Sequence, residues 1–204
     1  MKNKFYFLLL TLCLLISSLQ SFGADDYTKG KSIYNSKCIS CHGENGLTLN
    51  TPILLGQERG YLTQSLHKFK SGDRDDYIMS FMNTMSSSLS DKQIKQVSLY
   101  VSAQDPCDID MKIDRNRDGF IADFRAGRAK VLEKNCMHCH SSFHHSAPRL
   151  LGQKEKYIHT SLMAFRDKKR LGFKMNSIAA NLTEEEIRVI SVYLSGMSLM
   201  RECK

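Results

Sequence analysis

The sequence lacks the features that mark several large classes of protein. Beyond the opening segment no stretch is apolar enough to span a bilayer, and no run of alternating apolar and polar residues predicts a β-strand. No nucleic-acid-binding motif is present, and the basic residues are scattered among acidic ones. These absences argue against a multi-span membrane protein, a β-protein and a nucleic-acid-binding protein.

The first 23 residues have the pattern of a secretory signal peptide. Lys2 and Lys4 precede an apolar run from Phe5 to Ile16, and small residues follow at Gly23 and Ala24. Because the run is shorter than a membrane-spanning helix requires, we expect cleavage near residue 23, with retention as an anchor as the alternative. We therefore predict an exported, periplasmic protein.

The rest of the chain consists of two similar halves. "CISCH" recurs as "CMHCH" at an offset of 98, and "TPILLGQERGYLTQSLHKFKSGDR" recurs as "APRLLGQKEKYIHTSLMAFRDKKR" at 96. A third block, "FMNTMSSSLSDKQIKQVSLYVS", recurs as "KMNSIAANLTEEEIRVISVYLS" at 93. Ordered blocks with drifting offsets indicate an internal duplication, and two copies make two domains. We predict domains over 24–104 and 123–204, joined by a linker over 105–122.

Each half predicts the same helices. Apolar residues recur at helical spacing over 57–70 and in the equivalent block of the second half. The last helix of each half begins with a capping box, Ser90 with Gln93 and Thr183 with Glu186. Gly30 and the equivalent Gly127 lie where a close helix crossing would exclude a side chain. The fold class is all-α, and domains of about 80 residues usually need a staple or a cofactor to be stable.

Both halves contain Cys-x-x-Cys-His, the attachment signal of haem c. Two thiols add to the porphyrin vinyl groups, and the adjacent histidine becomes the proximal iron ligand. A zinc site would need a second ligand pair in each half, and a thioredoxin-like dithiol would need a βαβ context; the sequence has neither. We predict two covalent haem c groups anchored by Cys38, Cys41, Cys136 and Cys139, with His42 and His140 as proximal ligands.

The repeat also selects candidates for the second axial ligand. Met82 and Met175 occupy equivalent positions, each seven residues before a matching leucine. A methionine thioether there raises the reduction potential relative to two histidines. Met79 and Met85 compete with Met82, packing in the core is the alternative role for these methionines, and a second histidine from positions 144–145 is the alternative ligand at the second site.

Two of the three prolines, Pro52 and Pro148, follow the predicted proximal histidines by ten and eight residues. A carbonyl oxygen held by such a rigid loop would accept the imidazole N–H and fix the ring. An ordinary turn is the alternative.

Two further motifs lie outside the haem signals. Cys107 and Cys203 are the remaining cysteines of the exported part, and in an oxidising compartment they most simply pair with each other; free or intermolecular thiols are the alternatives. The segment "DRNRDGFIADFR", residues 114–125, imitates a calcium loop, but Arg125 stands where the bidentate glutamate is needed. A tight turn built on Asp and Asn side chains is favoured over calcium binding.

The excess of positive charge lies in the second half. Residues 24–106 hold nine Lys and Arg against nine Asp and Glu, while residues 107–204 hold eighteen against twelve. This asymmetry favours an oriented encounter with an acidic partner surface. The cluster beside Met175 is the predicted steering surface: Arg166, Lys168, Lys169, Arg170 and Lys174.

On these motifs the chain resembles the dihaem cytochrome c4 family over nearly all of residues 24–204. The resemblance implies two class I cytochrome c domains related by a pseudo-twofold axis, with the haem propionate edges facing each other. It also implies periplasmic electron transfer toward a terminal oxidase. As partners we expect that oxidase and a quinol–cytochrome c oxidoreductase type of donor, with peripheral membrane contact. The departures are the insert with Cys107, the tail with Cys203, and Ser141 where the family has glycine.

We therefore expect an electron carrier rather than an enzyme. Two alternatives stay open, a haem-bearing subunit of a periplasmic dehydrogenase and a dihaem peroxidase. A peroxidase needs an iron with a releasable position, whereas both halves keep a methionine candidate in the same place.

Overall fold

The structure is a computed structural model that describes residues 23–43, 51–75, 80–105, 114–140 and 147–197. Helices, turns and bends account for all assigned secondary structure in these ranges, which confirms the all-α prediction. Within them no helix combines the length and apolarity needed to cross a membrane. The predicted signal peptide before residue 23, the suspected Cys107–Cys203 disulfide and the histidines at 144–145 fall outside the described residues.

The two halves contain equivalent helices in the same order. In the first half these are α1 (23–33), a π-helical turn (Tyr34–Cys38), α2 (Ile39–His42), α3 (Arg59–Ser71), α4 (Phe81–Ser87) and α5 (Asp91–Ser102). In the second half they are α6 (Phe120–Glu133), α7 (Met137–His140), α8 (Glu155–Arg166), α9 (Phe173–Ala179) and α10 (Glu184–Gly196). Helix α6 begins inside the segment predicted as linker; the domain boundaries themselves stay a prediction.

A close crossing of the first and last helices organises each half. A Cβ atom added at Gly30 would overlap the backbone carbonyl of Gln96 in α5, and one added at Gly127 would overlap that of Val189 in α10. Only glycine allows backbones to approach this closely. The predicted role of both glycines is therefore confirmed.

Each half also has its own apolar core. Ile94 is fully buried between α5 and its neighbours in the first half, and the equivalent Ile187 is fully buried in the second. Because each core is built from one half alone, the halves are separate domains, which we call domain 1 and domain 2.

The domains meet through a symmetric set of hydrogen bonds. The side chain of Gln57 accepts from the backbone N–H of Arg149 at 2.7 Å and donates to its carbonyl oxygen at 3.1 Å. The equivalent Gln153 does the same to Ile53, at 2.9 and 3.0 Å. Gln57 and Gln153 are equivalent residues, and so are their partners Arg149 and Ile53. The same contact therefore occurs twice, once in each direction, as a twofold interface requires. The pseudo-twofold packing is therefore seen directly.

Both predicted capping boxes are present. The hydroxyl oxygen of Ser90 accepts from the backbone N–H of Gln93, whose side chain accepts from the Ser90 N–H, and Thr183 pairs with Glu186 in the same way. The boxes differ in charge, because only the second contains a carboxylate. The Thr183 N–H and then Lys130 lower the pKa of Glu186 to about 2.

We predict that the cap at Glu186 makes the stability of the protein depend on pH. Because the folded pKa lies below the value of 4.5 for an unperturbed glutamate, the cap contributes fully above about pH 4.5 and is lost as the pH falls through about 2. Glu186→Gln copies the uncharged box of domain 1 and should flatten this dependence, measured by urea unfolding across that pH range. Glu184→Gln, an exposed change in the same turn, is the control, and equal curves for both variants would contradict the assignment.

We also predict that the interface glutamines stabilise the fold. In Gln153→Glu the carboxylate cannot donate to the buried Ile53 carbonyl oxygen, which should cost about 1–3 kcal/mol of unfolding free energy. Urea unfolding measures the loss, and small-angle scattering should show a larger radius of gyration. Gln64→Glu, at an exposed position of α3, is the matched control. A loss no greater than that of the control would show that the interface contributes little.

Candidate functional site

The first Cys-x-x-Cys-His motif lies on consecutive helical turns. Cys38 ends the π-helical turn, while Cys41 and His42 belong to α2. Positions i, i+3 and i+4 share one face of a helix, so the two sulfur atoms and the imidazole are directed to one side. His42 is buried and Cys38 is half-buried, and burial raises the pKa of the Cys38 thiol to about 11.

The second motif repeats this arrangement at the end of domain 2's first helix. Asn135 adopts a left-handed backbone conformation, with φ of 52°, between α6 and α7, and Cys136 follows it. Cys139 and His140 lie on α7, where His140 is buried. Burial also raises the pKa of the Cys136 thiol.

A proline carbonyl orients each histidine. His42 Nδ1 lies 2.9 Å from the carbonyl oxygen of Pro52, and His140 Nδ1 lies 2.8 Å from that of Pro148. Since a carbonyl oxygen only accepts, Nδ1–H is the donor in both pairs, and Nε2 carries the lone pair that a metal ligand needs. The structure therefore contains the hydrogen bonds that the sequence predicts; ligation itself stays a prediction.

The candidate methionines lie on equivalent short helices. Met82 is on α4, which packs against α3, and Met175 is on α9, which packs against α8; both side chains are half-buried. Met85 is also half-buried on α4, and Met79 lies outside the described residues. Placement on the helix does not choose between Met82 and Met85, so the choice of Met82 still depends on the repeat.

An asparagine directly after each candidate methionine anchors its helix. The Asn83 amide donates to the carbonyl oxygens of Phe69 and Arg74, at 2.9 and 2.7 Å. Asn176 donates to the equivalent carbonyls of Phe165 and Arg170, at 2.6 and 2.9 Å. Neither asparagine is among the residues predicted from the sequence, although the pair Met-Asn recurs in both halves and is the signal that reveals them.

Two buried arginines lie at the domain interface. Arg74 donates to the hydroxyl oxygen of Tyr157 in the other domain, and Arg170 donates to that of Tyr61, both at 3.1 Å. Each guanidinium also covers a phenylalanine ring of its own domain. Although burial opposes ionisation, Arg170 and then Arg74 lower the pKa of the Tyr61 phenol to about 7. No carboxylate of the described residues pairs with either arginine, so the interface is rich in positive charge.

The position of Arg170 corrects one expectation. The sequence predicts Arg170 on a surface that steers a partner, but only 8% of the residue is exposed, and its side chain donates to the hydroxyl oxygens of Tyr61 and Ser161. Arg166 pairs with Asp167, which reduces its field at a distance. The exposed basic residues beside Met175 are therefore Lys168, Lys169 and Lys174.

The calcium-like segment forms a compact turn. The Asp114 carboxylate accepts from the backbone N–H of Asn116 at 3.0 Å, the turn that the sequence favours. Arg117 then pairs with Glu155 of α8. Among the described residues, no group of three or more His, Cys, Asp or Glu side chains is placed to hold a metal ion.

The donor groups of each domain fit haem c. Two thiols and an imidazole with a fixed Nδ1–H share one helical face, as covalent attachment and iron ligation require. The buried arginines supply cations that suit the carboxylates of haem propionates. The fit is the same in both domains, because every one of these groups has an equivalent.

Comparison with known proteins agrees with this geometry. The cytochrome c family model matches residues 27–105. Cytochrome c-552 of Acidithiobacillus ferridurans is 31% identical over 80% of this chain and 74% of its own. Cytochrome c4 of Pseudomonas aeruginosa is 30% identical over 78% of this chain and 83% of its own. A thiosulfate dehydrogenase electron acceptor of Stutzerimonas stutzeri is 26% identical over 90% of this chain and 91% of its own.

A solved structure gives the same result. The structure of cytochrome c4 from Acidithiobacillus ferrooxidans matches with a TM-score of 0.68 and 29% identity, over 79% of this chain and 99% of that one. Helices in equivalent order, a duplicated attachment motif and relatives of matching length all lead to one family. The chain belongs to the dihaem cytochrome c4 family.

Proposed function

We propose that this protein is a periplasmic electron carrier with two covalent haem c groups, one in each domain. The observation that carries the proposal is the duplicated site: in both domains the Cys-x-x-Cys-His motif ends a helix, and the histidine donates to a proline carbonyl. A structural role alone would not require both copies to keep this arrangement. The predicted signal peptide supports the periplasmic location.

In the proposed sites, four residues of each domain hold the haem. Two cysteines form thioether bonds, the histidine is the proximal iron ligand, and a methionine is the distal ligand. In domain 1 these are Cys38, Cys41, His42 and Met82. In domain 2 they are Cys136, Cys139, His140 and Met175.

The bound haem supplies one-electron redox chemistry, and the chain supplies orientation and electrostatics. The carbonyls of Pro52 and Pro148 fix the imidazole rings and make the Nε2 atoms better donors to a metal. Arg74 and Arg170 would neutralise propionate carboxylates at the interface. The glutamine hydrogen bonds hold the two domains, and with them the two sites, against each other.

The proposed partners are redox proteins of the respiratory chain, with a quinol–cytochrome c oxidoreductase type of donor and a terminal oxidase as acceptor. The cations Lys168, Lys169 and Lys174 are exposed beside Met175 and would favour an acidic partner surface. A second candidate donor is a thiosulfate dehydrogenase, because two relatives are named as electron acceptors of that enzyme. In either case the chain accepts and passes on electrons. The methionine helices in both domains disfavour a peroxidase.

The proposal predicts the haem content of the protein. The exported protein should have the mass of the polypeptide plus two haems, and its colour should stay with the protein in acid acetone because thioether bonds resist extraction. Mass spectrometry of the denatured holoprotein measures both sites together. Cys38→Ala with Cys41→Ala should remove one haem, and Cys136→Ala with Cys139→Ala the other. A wild-type mass equal to that of the polypeptide alone would refute the proposal.

The proposal also predicts which methionines are the distal ligands. Met82→Ala and Met175→Ala should each remove the sulfur-to-iron charge-transfer band of one oxidised haem and lower its reduction potential, because a weaker or different ligand replaces the thioether. Absorption spectra and redox titration measure both effects. Met85→Ala and Met163→Ala are the controls, since they are half-buried methionines of the same two domains. Loss of the band in Met85→Ala instead of Met82→Ala would reassign the ligand of domain 1.

A further inference from the structure

The backbone around His42 is held on both sides by side-chain hydroxyl groups. The Thr51 hydroxyl donates to the carbonyl oxygen of Cys41, the residue before His42, at 2.7 Å. The Tyr34 hydroxyl donates to the carbonyl oxygen of Gly43, the residue after His42. The chain on either side of the candidate proximal ligand is therefore tied to two different parts of domain 1.

The Thr51 bond connects the attachment motif to the proline loop. Thr51 precedes Pro52, whose carbonyl oxygen lies 2.9 Å from His42 Nδ1. Two successive residues of the loop thus pair with two successive residues of the motif. A pair of bonds fixes the direction from which the Pro52 carbonyl approaches the imidazole, whereas a single bond would allow the two segments to turn about it.

Tyr34 provides a fixed support on the other side of the histidine. Only 2% of Tyr34 is exposed, and its ring packs against Tyr100 of α5 with the ring centroids 5.6 Å apart. Tyr100 in turn packs edge-on against Tyr27 of α1, at 5.2 Å. Because the crossing of the first and last helices encloses the ring, the Tyr34 hydroxyl has one position, from which it bonds Gly43.

Domain 2 has no hydroxyl group at either equivalent position. Val131 corresponds to Tyr34, because each lies four residues after the glycine of its helix crossing. Ala147 corresponds to Thr51, because each directly precedes the proline of its loop. The bond from the histidine to the proline carbonyl is common to both domains, whereas the two hydroxyl bonds belong to domain 1. Domain 2 is therefore an internal reference for what the hydroxyls do.

We infer that Thr51 and Tyr34 are positioning residues for the haem of domain 1, which act through the backbone of His42 to fix the orientation of its imidazole ring. The inference rests on the proposed function. Groups that orient a ligating histidine from outside set the plane of its ring and its strength as a donor. With the backbone restrained on both sides, the His42 Nδ1–H stays aligned with the Pro52 carbonyl oxygen, and Nε2 keeps a fixed direction.

The test compares the two haem histidines of the holoprotein by NMR. Thr51→Ala copies the residue of domain 2 and should make the Nδ1 proton of His42 exchange with water about twofold to tenfold faster, the effect of one lost hydrogen bond on local opening. Tyr34→Phe keeps the ring, removes the hydroxyl and should have an effect of similar size. The Nδ1 proton of His140 should exchange at the wild-type rate in both variants.

The oxidised protein provides a second measurement. The shifts of haem methyl signals in a paramagnetic haem depend on the plane of the axial imidazole, so both variants should shift the methyl signals of domain 1. The methyl signals of domain 2 should stay in place. Contacts between each haem methyl group and the residues of its own domain assign the signals.

Three variants are the controls. Thr51→Ser keeps a hydroxyl group and should match the wild type. Thr28→Ala removes an exposed hydroxyl that donates to a carbonyl oxygen within α1, and Tyr27→Phe removes one that accepts from Gln104 near the surface. Neither change touches the attachment motif, so both should leave the His42 proton and the methyl signals unchanged.

Two results would overturn the inference. The first is a wild-type exchange rate at His42, with unchanged methyl signals, in both Thr51→Ala and Tyr34→Phe. The second is an equal acceleration at the backbone amide of Ile94, which is fully buried in α5, because the hydroxyls would then stabilise the domain as a whole rather than position the ring. A wild-type protein without two covalent haems would instead overturn the proposed function, and mass spectrometry before the NMR measurements separates the two failures.

Discussion

The geometry of both candidate haem sites depends on a chain of hydrogen bonds through which each domain orients the histidine of the other. The Gln153 side chain bonds both the N–H and the carbonyl oxygen of Ile53, and Pro52, the residue before Ile53, accepts from His42. In the other direction Gln57 bonds Arg149, and Pro148, the residue before Arg149, accepts from His140. Satisfying buried backbone groups in this way holds the loops in a fixed position. The interface is therefore part of both sites, and neither domain provides a complete setting for its own imidazole.

The fold and the motifs could be predicted because they depend on local spacing. The capping boxes and the glycine crossings follow from neighbours in sequence, and the hydrogen bonds from His42 and His140 to proline carbonyls follow from a loop that recurs in both halves. The interface could not be predicted in this way. A repeat shows that two segments are alike but not which faces of the two domains meet. For that reason the sequence predicts Arg170 on the surface, although it is buried against Tyr61.

Duplication explains why the domains share a scaffold, and divergence at a few positions explains how they can differ in function. The glutamines and the buried arginines keep the pseudo-twofold packing, since each makes the same contact in both directions. Two pairs of equivalent positions break the symmetry, since Ile53 corresponds to Arg149 and Glu58 corresponds to Lys154. The hydrogen bonds that both domains share do not depend on the side chains at these positions. Charge could therefore change at these positions without loss of the packing.

The π-helical turn at Tyr34–Cys38 gives domain 1 a register that a regular α-helix would not have. A π-turn accommodates one extra residue, and each residue of an α-helix advances the helix by about 100°. If the same five residues formed a regular α-helix instead, the extra residue would rotate the whole of α2 by roughly that angle and carry its imidazole away from the proline loop. The spacing of the Cys-x-x-Cys-His motif would be unchanged. A sequence could therefore match the motif although the protein had lost the geometry of the site.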